Sequence, residues 1–167
     1  TLPQNISYHH LPISLNERIA YSHSLIKTKF VVMLADDEIF LHSALNACIK
    51  FLENNPDYSS CKGLCISFRR NYFSSHLEGN FEYSDLRNHV INSSTPCKRV
   101  TEHLADYKTA SIYAVHRQEV YKKFSKMLSL GRNYSAAASF EIQVSIIAAW
   151  IGKIKVLDQL MWFRNRE

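Results

Sequence analysis

The chain has 167 residues, 46% of them hydrophobic and 21% charged, with 4 Gly, 4 Pro and a formal net charge of +5. That is one domain's worth of sequence, long enough to bury a core, and its composition excludes a disordered or low-complexity chain. No run approaches the ~18 apolar residues of a membrane-spanning helix, and the positive charge favours phosphate-bearing partners.

Residues 14–27 read as a helix. Ser14 and Glu17 form a capping box, and Leu15, Ile19, Leu25 and Ile26 fall near helical spacing. Phe30–Ala35 is a short apolar run, FVVMLA, that reads as a strand buried on both faces. It stops abruptly at Asp36-Asp37-Glu38. A helix over 41–53 follows, ended by Asn54-Asn55-Pro56-Asp57, and then a strand near Gly63–Phe68. Residues 69–105 carry no clean period and read as a long insertion. A strand over 109–116, a helix over 118–129, a helix over 137–151 closed by Gly152, and short strands at 154–157 and 160–163 complete the chain. Strands alternating with helices predict an α/β fold with a mostly parallel sheet.

The basic residues lie in short groups, Arg69-Arg70, Lys98-Arg99, Lys122-Lys123 and Lys126, and read as solvated faces. None of the RNA-binding or zinc-finger patterns is present, so nucleic acid is not an expected partner. Cys48, Cys61, Cys65 and Cys97 lack metal-ligand spacing and read as reduced thiols of a cytoplasmic protein. The His residues read as surface or loop positions, and Tyr8, Trp150 and Trp162 as packing residues.

The informative feature is LADDEIF, Leu34–Phe40. Ligands of open α/β sheets bind just beyond the carboxyl ends of strands. Three adjacent carboxylates repel unless something positive sits among them. A Mg²⁺ or Mn²⁺ ion on a diphosphate meets that need, because hard oxygen ligands suit both ions. The alternative is that Asp36 and Asp37 simply open the next helix, where acids suit the dipole.

The order of motifs resembles the family 2 glycosyltransferases, in particular a bacterial branch with an ADDD-like core. The segment Asn16–Phe68 carries most of the likeness. Within it lie LADDEIF and Phe51–Ser59, FLENNPDYS. Gly63, the run Tyr113–Arg117 (YAVHR), Glu141 and Gly152-Lys153 follow in the family's order. The resemblance implies a single domain over residues 1–167 with a partial GT-A fold, a Rossmann-like nucleotide-diphospho-sugar transferase architecture. It also implies a nucleotide-diphosphate-sugar donor, a divalent cation (Mn or Mg), a glycan or lipid-linked acceptor, and inversion at the sugar.

Residue by residue, the resemblance assigns Asp36 and Asp37 to the donor, and Asp37 and Glu38 to the metal. Glu38 stands where the family usually has Asp, one methylene shorter. Glu141 takes the place of the general base, with an exposed first-turn acid as the alternative. Arg117 and Arg164 are candidate phosphate ligands, against a structural pair for the first and a surface ion pair for the second. Only 35 residues precede Asp36. One strand–helix–strand unit alone takes roughly 30 or more residues. The resemblance therefore implies that the strand–helix units forming the base-binding wall are missing. This predicts weak activity, an exposed sheet edge open to homodimerisation, and the alternative of a degenerate, non-catalytic binding or assembly module. Location at the inner face of a membrane, by peripheral contact, is compatible with the same reading.

Overall fold

The computed structural model describes residues 5–70, 77–108, 111–130 and 137–166. Helix α1 spans Leu15–Ser22, shorter than its sequence pattern. Its capping box forms: the Glu17 N–H donates to Ser14 Oγ at 3.3 Å, and the Ser14 N–H donates to Glu17 Oε2 at 2.9 Å.

Only the first third of FVVMLA enters the sheet. Strand β1 is Phe30–Val31, and the chain then leaves the ladder until β2, Glu38–Phe40. Helix α2, His42–Asn54, buries Ala44, Cys48 and Leu52 at four-residue spacing on one face. Strand β3, Tyr58–Arg70, is twice as long as the Gly63–Phe68 core that its sequence suggested.

The unpatterned stretch 69–105 contains regular structure. Strand β4, Leu77–Glu82, folds back on β3, and a 3₁₀ turn follows at Ser84–Leu86. Strand β5 is Val90–Ile91 and helix α3 is Pro96–Ala105. Thr95 caps α3 by accepting from the Lys98 N–H, with Pro96 in the first turn. These elements escape a periodicity reading for local reasons. Strand β4 contains Gly79 and Asn80, and α3 is polar around much of its circumference.

Of the strand expected over 109–116, residues 109–110 lie outside the described set. Ser111–Tyr113 is a 3₁₀ turn, and β6 is only Val115–Arg117. Helices α4, Gln118–Ser129, and α5, Ala137–Ile151, agree with their sequence patterns. The two short strands expected at the end are one, β7, Lys153–Asn165.

The strands make one mixed sheet flanked by helices. Its order is β1-β6-β3-β7-β2, with β4 on β3 and β5 on β7. The expectation of a mostly parallel sheet is corrected: β3 and β7 pair in parallel, and the other five described pairings are antiparallel. A parallel partner needs a crossover of a dozen or more residues. Six residues separate β3 from β4, so that pair must be antiparallel. The short strands β2 and β5 also reach the flanks of β7 in the antiparallel sense.

Four apolar clusters hold the layers together, the smallest being Leu64, Leu86 and Val156. Ala44, Cys48 and Leu52 of α2 pack on Cys61, Cys65, Val115, Met161 and Trp162 of the sheet. Ile19 of α1 meets Phe124 and Leu128 of α4 and Phe140 and Val144 of α5. Val120, Ala148 and Ala149 close on Ile91 and Ile154. Cys48, Cys61 and Cys65 are buried free thiols, and Cys97 is exposed.

Two arginines finish helices from within. Arg99, far from a solvated position, is buried and donates to the carbonyls of Ala149 at 2.7 Å and Trp150 at 2.9 Å, satisfying the end of α5. Arg117 does the same for α2, as described below. His103 and His116 are likewise buried, whereas Tyr8 and Trp150 stand exposed.

Gly152 follows α5, and its N–H donates to the Ala148 carbonyl at 3.0 Å. Its φ lies outside the left-handed range, so conformational freedom is not the reason for glycine there. Close approach is the reason: a Cβ would meet the Asp57 carbonyl oxygen at 2.8 Å and the Ser59 nitrogen at 2.8 Å. Both neighbours are backbone and cannot swing away. Gly152→Ala is expected to destabilise the chain by about 1–3 kcal/mol in urea unfolding, the usual cost of overpacking. An unchanged midpoint would show that α5 and β3 can separate freely.

Candidate functional site

The acidic triplet is a turn between two strands. Glu38 N–H donates to the Ala35 carbonyl at 3.3 Å, which places Asp36 and Asp37 at the two corners. Asp is a favoured turn residue. Helix α2 begins only at His42, so these acids do not open it.

The turn separates the three carboxylates. Asp36 lines a cleft of about 420 Å³. Asp37 is exposed and is not among the lining residues. Glu38 points inward, its side chain 3% exposed, and its Oε1 accepts from Arg164 Nε at 2.6 Å. Glu38 and Arg164 face each other across the antiparallel β2–β7 pair, so strand register alone brings them together.

Arg164 is the centre of the cleft's polar wall. Besides Glu38, its Nη1 donates to the Tyr83 hydroxyl. Its guanidinium lies 4.8 Å from the centre of the Tyr113 ring and 5.6 Å from that of Tyr83. Tyr113 in turn stacks on the buried Trp162, with centroids 5.7 Å apart. Burial opposes the charge on Arg164, but the Glu38 hydrogen bond and the two tyrosines outweigh it and raise its pKa further. The Tyr113 phenol is pushed up, first by burial, with Arg164 pulling the other way. Tyr83 has φ 54° and ψ 52°, the left-handed region that non-glycine residues seldom occupy. Such strain persists where surrounding contacts fix it, and here the Arg164 contact does so.

Glu141 enters the same cleft from the first turns of α5. Its Oε1 accepts the Ser111 N–H at 3.2 Å, which ties the carboxylate to the 3₁₀ turn before β6. Leu34, Ile112 and Phe140 supply apolar wall between the two acids.

Arg117 is built into the fold instead. Its Nε donates to Tyr58 O at 2.7 Å, and its Nη2 to Leu52 O at 2.6 Å and Asn55 O at 3.1 Å. These bonds tie the end of α2 to the start of β3, and Arg117 is not among the residues lining the cleft. Its neighbour His116 is buried between Ser60 Oγ, 2.6 Å from Nδ1, and the Ser111 carbonyl, 3.0 Å from Nε2.

The structure therefore gathers Asp36, Glu141 and Arg164, and leaves Asp37 and Arg117 outside. Sequence reasoning missed Tyr83 and Tyr113 as cleft residues. It also missed Lys62, buried on β3, whose pKa burial pulls down to about 8 against the opposing charges of Glu141 and Asp85. Tyr83 lies in the unpatterned stretch and carried no signal. Tyr113 lay within the YAVHR motif but was read as strand.

A metal cage made by the protein does not fit these residues. Among the described residues, no group of three His, Cys, Asp or Glu side chains is placed to hold a cation. One oxygen of Glu38 is committed to Arg164, although the other is buried with no hydrogen-bond partner. Of the triplet, Asp36 alone lines the cleft. Comparison with family models and with curated proteins finds no match for this sequence.

Removing one member of a buried ion pair leaves the other uncompensated. Arg164→Met is expected to cost about 3–5 kcal/mol in urea unfolding. The double variant Glu38→Gln/Arg164→Met should cost less than the two single changes together, by ~1 kcal/mol or more. Strict additivity would mean that the pair contributes no coupling.

A pH dependence also follows. Burial lowers the His116 pKa from 6.5 to about 4, and His103 is lowered likewise to about 4 by its burial. Between these values the unfolded chain takes up protons that the folded chain refuses. Stability is therefore full above pH 6.5 and falls as pH drops towards 4, with no further loss from these groups below that. Urea midpoints across this range should show the fall, and His116→Gln should flatten part of it.

Proposed function

We propose that this chain is a glycosyltransferase that moves a sugar from a nucleotide-diphosphate donor to an acceptor hydroxyl, with inversion, in the cleft between Asp36 and Glu141. The supporting observation is the meeting of Asp36, Glu141 and Arg164 in one cleft from positions far apart in the chain. The motif order described above adds to it, and so does the mixed α/β sheet flanked by helices, of which a partial GT-A fold is the finer reading.

In this reading Glu141 is the base. The acceptor oxygen attacks the anomeric carbon as its proton passes to the Glu141 carboxylate. The bond from the anomeric carbon to the diphosphate oxygen breaks, and the nucleoside diphosphate leaves with the electron pair. The Ser111 N–H holds the carboxylate in place. Arg164 presents positive charge to the diphosphate, while Glu38 and Tyr83 fix the plane of its guanidinium. A Mn²⁺ or Mg²⁺ ion held by Asp36 would neutralise the charge growing on the leaving diphosphate. Tyr113 and the apolar wall keep water from competing with the acceptor. The acceptor class is a glycan or a lipid-linked saccharide.

A second reading, a binding module without catalysis, is favoured by one observation: Glu38 is already neutralised by Arg164. A single set of measurements separates the two. Mn²⁺ with UDP or GDP should raise the melting temperature in both, because a ligand of the native state stabilises it. Asp36→Asn should remove that rise. Turnover of a nucleotide sugar is expected only of the enzyme, and Glu141→Gln should lower it by about 100-fold or more while keeping the thermal shift. Absence of any shift with either nucleotide would defeat both readings.

A further inference from the structure

Helix α5 breaks the rule for a surface helix. Its sequence, AASFEIQVSIIAAWI, is apolar around nearly its whole circumference, a pattern expected of a helix enclosed on all sides. Yet it is enclosed on one side only. Val144, Ala148 and Ala149 are buried, whereas Ile142 is 37% and Trp150 52% exposed. Beside them on α4, Leu130, just past the helix end, is 72% exposed. Between the two helices runs a groove of about 400 Å³ whose floor is Met127, Ile146, Ile147 and Trp150. Its rim is Lys123 and Lys126, with Lys122 exposed on the same helix. No Asp or Glu lines it. The nearest acid on α4, Glu119, is paired with Lys123 at 2.8 Å.

From this arrangement we infer that the α4–α5 face is a docking surface for the interfacial layer of an anionic lipid bilayer. The inference is independent of sugar transfer. An apolar floor bordered only by lysines, with an indole at its edge, combines three features of an interfacial contact. Apolar side chains enter the acyl boundary, lysine stems extend along apolar surface with their ammonium groups at the phosphates, and Trp sits at headgroup level. Among the described residues no helix is long and apolar enough to cross a membrane, so the contact lies on the bilayer. A second copy of the chain fits poorly. A two-fold contact sets a patch against itself, and this groove is lined by lysines with no Asp or Glu to receive a partner's lysines.

The two tryptophans of the chain make the test direct. Trp162 is fully buried, so a change in emission on binding reports on Trp150. The full chain should co-sediment with phosphatidylcholine vesicles containing phosphatidylglycerol and not with phosphatidylcholine alone. Its fluorescence should shift to the blue, and added salt should release it. Changing Lys122, Lys123 and Lys126 together to Gln should weaken binding on the order of 100-fold, since each lysine near an anionic surface contributes about fivefold. Trp150→Gln should weaken it without altering its salt dependence. All four positions are exposed, so circular dichroism and melting should match the parent chain. The proposal is overturned if anionic vesicles are not bound, if neutral ones are bound equally, or if neither variant changes binding. It is also overturned if Trp150→Gln instead disperses a dimer of a chain that ignores vesicles.

Discussion

One guanidinium ties the cleft together. Arg164 stands near the end of β7, yet it gathers Glu38 from β2, Tyr83 from the loop after β4, and Tyr113 from the turn before β6. None of these segments is secured by long pairing of its own. Strand β2 has three residues, and Tyr83 and Tyr113 lie between strands. A charge so enclosed must be matched, and Glu38 matches it at 2.6 Å. The cleft keeps its shape because four parts of the chain converge on a group that cannot be left unpaired.

Of the three carboxylates in the triplet, the one that faces inward, Glu38, is matched by a guanidinium from the protein itself. Three neighbouring carboxylates do need something positive nearby. A divalent cation was the candidate in a local reading, because oxygen ligands suit Mg²⁺ and Mn²⁺. The guanidinium that faces Glu38 comes from 126 positions further along the chain. Only the β2–β7 register brings it there, and neither spacing nor composition contains that register. The same limit explains Arg117. Its motif suggested a ligand, but its donors are taken by the carbonyls of Leu52 and Asn55 at the end of α2 and of Tyr58 at the start of β3. Asp36, Glu141 and Arg164, by contrast, were legible from motif order, and the structure brings them to one cleft.

Legibility of the fold follows the same division between local and distant causes. Helix α1 could be placed from its capping box, α2 from its apolar spacing and α5 from the glycine that follows it, because those signals lie within a few residues. The run FVVMLA looked like one buried strand because apolar content alone does not reveal where a ladder stops. Two of its residues pair with β6, Val32 packs on the core beneath α2, and Met33, Leu34 and Ala35 line the cleft. Strand direction is more distant still. Alternating helices and strands suggested a parallel sheet, whereas the described sheet has one parallel pairing, β3 with β7.

Helix α5 contributes to both the cleft and the α4–α5 groove, and its geometry constrains how the two proposed surfaces could work together. Glu141 and Trp150 are nine residues apart. At ~100° and ~1.5 Å per residue, they lie on opposite sides of the helix and about 13 Å apart along it. A bilayer resting on the Trp150 face would therefore lie behind the cleft. The cleft mouth would stay open to the aqueous phase, where a nucleotide-sugar donor is dissolved. A hydroxyl carried close to a lipid headgroup would have to pass around a helix about 10 Å across to reach Glu141. An acceptor at the end of an extended glycan could make that reach, and one joined directly to its lipid could not. If both surfaces serve one reaction, α5 selects acceptors by the length of the chain that carries them.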